Sequence, residues 1–271
     1  MDRRCVGSHG VTTRLFGDPV AGDICRAGGK GFILTLIFEQ VTLTGSTNAD
    51  LIERAASGAP EGLWLRADAQ DNGRGRLGRV WESPAGNLFA STIVRLRPLD
   101  PPSPSLAFIV ALAVFDTIRQ ITPEVAVMIK WPNDILSGAG AKLCGILLER
   151  LDDAVIIGTG LNLVYHPEGL DRPVSNLAAL GGNPPHPQAV VEILASAFET
   201  WLRRWRERGL PDILRAWQSA AHPVGTALSV NLPSGEKYEG LYAGLSGDGA
   251  LQLRLADGTI HVIHAADIFL I

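Results

Sequence analysis

The period of the apolar positions changes repeatedly along this chain, and those changes divide it into elements. Residues 1–31 carry many glycines and no clear period, and read as a poorly ordered tail. Residues 31–43, GFILTLIFEQVTL, are β-branched and aromatic and predict a strand. Residues 46–57, STNADLIERAAS, open with a Ser-Thr-Asn cap and space Leu51, Ile52, Ala55 and Ala56 as a helix would. LWLRADAQ (63–70) and NLFASTIVRL (87–96) predict strands entering and leaving a loop rich in glycine and arginine. Residues 105–121 are apolar almost all round, which predicts a buried helix. VAVMIKWPNDIL (125–136) predicts a strand ending in a tight Pro-Asn-Asp turn. KLCGILLERL (142–151) and AVIIGTGLNLV (154–164) predict a hairpin turning near Asp152 and Asp153. A long amphipathic helical pattern follows at 187–209, and a shorter one at 211–218.

From about His222 the texture changes to short alternating strands with turns at Ser-Gly, Gly-Asp-Gly and Asp-Gly. Such hairpin signals predict a small appended β-barrel. The expected organisation is a tail at 1–31, a main domain at 32–221 and the barrel at 222–271. A chain of 271 residues, 46% hydrophobic and 19% charged, can bury a sizeable core. The net charge of -4 gives no general attraction for nucleic acid or an anionic membrane, so any positive site is local. Cys5, Cys25 and Cys144 are too few and too scattered for a disulfide scaffold, and a reduced cytoplasm is the expected home. The apolar run at 32–38 is far too short for a membrane span, and no signal peptide is recognisable.

The loop carries the first candidate chemistry. Gly73-Arg-Gly75-Arg-Leu-Gly78 fits the G-x-G-x-x-G pattern of dinucleotide-binding folds, but extended chain and a turn follow it. Without a helix N-terminus behind the glycines the pyrophosphate has no seat, so that reading is excluded. Gly29-Lys30 is excluded as a P-loop because Ile24 and Gly31 stand at two of its fixed positions. Arg74, Arg76 and Arg79 on a glycine-rich loop suit either an RNA-gripping loop or a mobile loop closing on a small anion. In Lys130-Trp131-Pro132-Asn133-Asp134, a carboxylate after a strand suits a Mg²⁺ ion on nucleotide phosphates, or else a plain Asn-Asp turn. Lys142 opens an apolar strand, where a lone lysine is usually an edge charge. Gly158-Thr-Gly160-Leu-Asn162 interrupts an apolar strand with glycines, which marks close approach of a ligand or backbone.

Taken in order, Ser46-Thr47-Asn48, Gln70 with GRGRLGRVWESPAGNL, KWPNDI, KLCGILLE and GTGLNL resemble the catalytic domain of biotin–protein ligases. The resemblance runs over residues 32–271, and its combination of motifs is highly specific. It implies an α+β fold: a mixed sheet flanked by helices, related to class II aminoacyl-tRNA synthetases, with an SH3-like barrel at the C-terminal end. Cys144 stands where Ala is usual and Phe89 where Tyr is usual, both conservative in size. Lipoate–protein ligases share the fold and the adenylate chemistry, and the GRGRLGRVW and KWPND pair favours biotin.

The implied reaction joins biotin to a lysine of a biotin carboxyl carrier domain through biotinyl-5′-AMP, with ATP and Mg²⁺. By this resemblance Ser46, Thr47, Asn48, Gln70, Gly73 and Arg74 contact biotin, and Trp81 and Gly145 shape its pocket. Arg76, Arg79, Trp81, Asn133 and Asn162 belong to the ATP site, with Asn162 near the adenine. Lys142 bridges the biotin carboxylate and the α-phosphate, with Arg74 and Arg76 as further catalytic groups, and Asp134 is the metal-side carboxylate. The longer family members carry a DNA-binding winged helix, for which residues 1–31 are too short, so no DNA binding is expected. A strand beside the site is expected to pair with a second copy, giving a homodimer, or with the acceptor. None of the six histidines has ligand spacing.

Overall fold

The computed structural model describes residues 34–271; the expectations for residues 1–31 lie outside the described residues. Strand β1 (Ile37–Thr44) leads into helix α1 (Thr47–Ala56), β2 (Leu63–Gln70) and β3 (Leu88–Arg95). Helix α2 (Leu106–Ile121) is followed by β4 (Val127–Lys130), β5 (Asp134–Ser137), β6 (Lys142–Leu151) and β7 (Ala154–Leu161). Helices α3 (Pro187–Arg208) and α4 (Leu210–Ala220) close this part. Seven strands form one sheet in the order β1-β2-β3-β7-β6-β5-β4. Only β1 and β2 are parallel, as their α1 crossover requires; every other neighbour is antiparallel. The mixed sheet expected from the sequence is therefore present. The 125–136 segment departs from expectation: it is a hairpin, β4 and β5, because Trp131–Asn133 reverses the chain and Asp134 starts the return strand.

Central strands are buried on both faces, so β3 reads as a continuous apolar and small-residue run rather than an alternation. Helix α1 covers one face through Leu51 and Ala55, which pack on Leu63, Leu65, Ile93 and Ile156. Helices α2 and α3 cover the other with Val110, Val114, Leu194 and Phe198. Residues 103–121, as one helical stretch, are long and apolar enough to cross a membrane, but most of that surface is buried inside the protein. Strand β1 ends the sheet and is largely exposed, with Ile37, Phe38 and Leu43 open to solvent.

The expected change of texture becomes a second, five-stranded antiparallel sheet. It contains β8 (Ala227–Asn231), β9 (Lys237–Leu245), β10 (Leu251–Arg254), β11 (Ile260–Ile263) and β12 (Asp267–Leu270), ordered β11-β10-β9-β8-β12. This arrangement is consistent with the SH3-like fold. Its apolar face is not separate from the main domain: Leu228, Tyr242, Leu251 and Ile268 belong to the same continuous core as α2 and α4. Trp131 Nε1 donates to the Gly249 carbonyl at 3.1 Å, and Phe108 meets Trp217 edge-on beside it.

Gly249 has φ +91°, and a Cβ there would lie 2.5 Å from the Phe108 ring. Gly249→Ala is therefore expected to cost about 2–4 kcal/mol, from left-handed backbone plus overpacking. Denaturant titration checks this; a change below about half a kcal/mol, the level of an ordinary surface substitution, would mean that the second sheet does not depend on this contact.

His222 is buried against Tyr242, ring centroids 4.5 Å apart, and burial pushes its pKa down from 6.5 to about 4. The folded value is the lower one, so protons bind the unfolded chain more readily. Stability should fall as the pH drops from about 6.5 to about 4, by about 3 kcal/mol from this group. Denaturation measured across that window should lose this slope in His222→Phe.

Candidate active site

The concave face at the ends of β2, β4, β5 and β6 holds a cavity of about 740 Å³. That volume suits a small-molecule ligand. One end is built by polar side chains from four elements. Ser46 caps α1, which buries Thr47 and Asn48 in its first turn. Thr47 donates to Gln70 Oε1 from its backbone N–H at 2.8 Å and from its hydroxyl at 3.1 Å. Its hydroxyl also lies 2.7 Å from Ser91 Oγ, which donates to Asn48 Oδ1 at 2.6 Å. Asn48 Nδ2 donates to Glu149 Oε2 at 2.7 Å, and Glu149 in turn pairs with Arg74 at 3.8 Å. Gln70 Nε2 donates to Ser83 Oγ at 3.0 Å. Ser83, Ser91 and Glu149 were not singled out by the sequence. Register alone brings them in, and an alternating pattern gives no signal of it.

The middle of the cavity is set by glycines. Gly145 and Gly160 face each other across β6 and β7. A Cβ on Gly160 would come within 2.6 Å of the Trp81 indole, and one on Gly145 within 3.0 Å. Gly158 leaves the same kind of room for the Asn48 amide, at 2.4 Å. The close approach foreseen for these glycines is thus made by protein side chains. Trp81 Nε1 is buried with no hydrogen-bond partner among the described residues. Gly73 is not part of the lining; a side chain there would strike the Trp81 carbonyl at 2.4 Å, so it serves the loop's closure onto residue 81.

The other end is cationic. Lys142 Nζ lies 5.5 Å from the centre of the Trp81 ring, at the boundary between the two regions. Asp134, buried, receives Lys142 Nζ on Oδ1 at 2.5 Å and Lys130 Nζ on Oδ2 at 3.5 Å. Burial by itself would raise the Asp134 carboxyl; the charges of Lys142 and Lys130, the Lys142 hydrogen bond and Arg172 outweigh it and hold the pKa below the usual carboxylate range. Burial lowers the Lys130 ammonium against the opposing pull of Asp134. Lys142 and Lys130 thus flank the carboxylate of Asp134, the residue expected on the metal side. Among the described residues no group of three His, Cys, Asp or Glu side chains could hold a metal ion.

The Gly/Arg loop lies over the cavity. Arg76 donates to Asn133 Oδ1 at 3.2 Å, and Arg79 pairs with Asp267 on β12. Leu77 takes a positive φ of 57° at the loop's tip and is exposed together with Val80. Asn162, expected near the adenine, directly follows β7. It is absent from the lining; its buried amide donates to the Ser175 carbonyl at 2.9 Å and fastens the segment after β7. Cys144 is buried, and burial drives its thiol pKa well up, so it behaves as a small apolar residue.

Residues 42–162 match the family described as biotin/lipoate A/B protein ligases, and residues 229–271 match the biotin protein ligase C-terminal domain. A biotin–[acetyl-CoA-carboxylase] ligase of Paracoccus denitrificans is 36% identical over 240 residues, covering 83% of this chain and 97% of that protein. One of Mycobacterium tuberculosis is 34% identical over 235 residues, covering 84% and 86% respectively. The solved biotin protein ligase of Aquifex aeolicus, in complex with biotin and ATP, superposes with a TM-score of 0.76 at 25% identity, over 86% of this chain and 99% of that one. The chain belongs to the biotin protein ligase family.

Asp134→Ala should cost about 3 kcal/mol or more, because it strands two buried ammonium groups. The Asp134 contribution is present above the unfolded carboxylate pKa near 4 and is lost as the pH falls through the lower folded value. Denaturation of the variant at neutral and acidic pH checks both. Unchanged stability would show that the pair is not what holds Lys130 and Lys142.

Proposed function

We propose that this enzyme activates biotin with ATP as biotinyl-5′-AMP and passes the acyl group to a lysine of a biotin carboxyl carrier domain. The observation that carries the reading is the division of one cavity into a hydrogen-bonding end and a cationic end, with Lys142 at the join. Biotin has a polar ureido head, an apolar middle and a carboxylate tail. The Ser46–Thr47–Gln70 end suits the head, and Trp81 over Gly145 and Gly160 suits the middle. The carboxylate would then arrive at Lys142.

The chemistry needs such a join. In the first step a carboxylate oxygen attacks the α-phosphorus, and the bond to the bridging oxygen breaks as pyrophosphate leaves with the electron pair. In the second, an amine attacks the acyl carbon and AMP leaves. Two anions must approach in the first step, so fixed positive charge between them stabilises the transition state. Lys142 is placed for that task, and Arg74 and Arg76 on the covering loop are placed to add to it. The loop also shields the reactive anhydride from water. Asp134 keeps Lys142 aimed while the site is empty. In the Aquifex aeolicus relative biotin and ATP are bound together, which supports the same pair of substrates here.

Lys142→Ala should reduce biotin-dependent pyrophosphate release on the order of a hundredfold or more, as loss of a group tracking transition-state charge does. Melting should change far less, since Lys130 still neutralises Asp134. Near-normal turnover in a normally folded variant would return Lys142 to an edge charge and remove the basis of the mechanism.

A further inference from the structure

The cavity lining carries six cations, Arg74, Arg76, Arg79, Lys130, Lys142 and Arg172, against three carboxylates. Five of the six have a side-chain partner. Arg74 has Glu149, Arg76 has Asn133, Arg79 has Asp267, and the two lysines share Asp134. Arg172 has no hydrogen bond or ion pair among the described residues, although it is half-buried. A guanidinium partly withdrawn from water and unpaired lacks the compensation such groups ordinarily find.

Its position is held from both sides. Lys142 donates its backbone N–H to the Pro173 carbonyl at 2.9 Å, and Ser175 donates to the Lys142 carbonyl at 3.0 Å. This short parallel pairing lays the segment 172–175 along the start of β6. Arg172 is thereby fixed one residue beyond the backbone contact of Lys142, close enough for its charge to be felt at Asp134 and Lys130. Lys142, Lys130 and Arg172 then surround a single carboxylate. That surplus of positive charge lies at the end of the cavity away from the Thr47–Gln70 network.

We propose that Arg172 binds the terminal phosphates of ATP, the portion that departs as pyrophosphate. This rests on the ligase reading above and extends it. Lys142 takes the α-phosphate side of the join, so the chain of phosphates continues towards Lys130 and Arg172. A planar guanidinium offers paired donors to phosphate oxygens. The group most in need of neutralisation is the leaving pyrophosphate.

Calorimetric titration of Arg172→Ala with ATP and with AMP tests the assignment. ATP should bind about tenfold more weakly or worse, the scale of one charge-assisted hydrogen bond, and AMP as in the native chain. Inhibition by added pyrophosphate should weaken in parallel. Lysine acylation from supplied biotinyl-5′-AMP, which lacks those phosphates, should proceed at the native rate. Arg172→Lys should recover part of the ATP affinity. Unchanged ATP affinity overturns the proposal, and so does an equal loss for ATP, AMP and transfer, which would place Arg172 on the nucleoside side. Failure of the ligase reading is seen separately, as a native protein that binds ATP but releases no pyrophosphate in response to biotin.

Discussion

Two glycines facing each other on neighbouring strands, Gly145 and Gly160, leave the gap into which Trp81 settles. The arrangement of the site follows from that gap. With any side chain at either position the indole would be displaced, and with it the Gly/Arg loop that begins at Gly73 and returns at Trp81. The Trp81 backbone N–H donates to the Gly73 carbonyl at 2.9 Å, so the base of the loop is tied off beside the ring. Lys142 is positioned over the same ring. A packing requirement in the sheet thus fixes both the floor of the cavity and the registration of its charged groups.

The electrostatics follow a similar economy. A carboxylate buried beside two lysines stays ionised because its neighbours outweigh its desolvation. In return it neutralises them until a substrate arrives. At Lys130 and Lys142 an anionic ligand entering this end exchanges one anionic partner for another. Such preorganisation keeps reorganisation small at the moment of reaction, which is where fixed dipoles and charges help most.

Much of this was legible in the chain. The motif order pointed to the family, and glycines inside an apolar strand signalled close approach. What occupied the space, Trp81 and Asn48, could not be read, since each lies more than sixty residues away along the chain. Glu149 and Ser91 escaped for the same reason: Asn48 reaches Glu149 across 101 residues, and only strand register brings them together. That Asp134 lies between Lys130 and Lys142 could not be read either, because β4–β5–β6 pairing brings them together while local sequence shows only a turn. Asn162 lies next to lining residues in sequence, but its amide is spent on a backbone carbonyl. Arg172 gave no signal at all, being a lone arginine in an irregular segment.

The contact between Arg79 and Asp267 joins the covering loop to the second sheet, and Asp267 and Phe269 line the cavity with it. Trp131, from the turn that precedes Asp134, reaches the same sheet through Gly249. The last fifty residues are therefore a wall of the reaction chamber rather than an interchangeable module. A chimera that grafts this segment from a relative would inherit a mismatched wall unless the arginine and aspartate travelled as a pair. Over evolutionary time the two halves should drift in step.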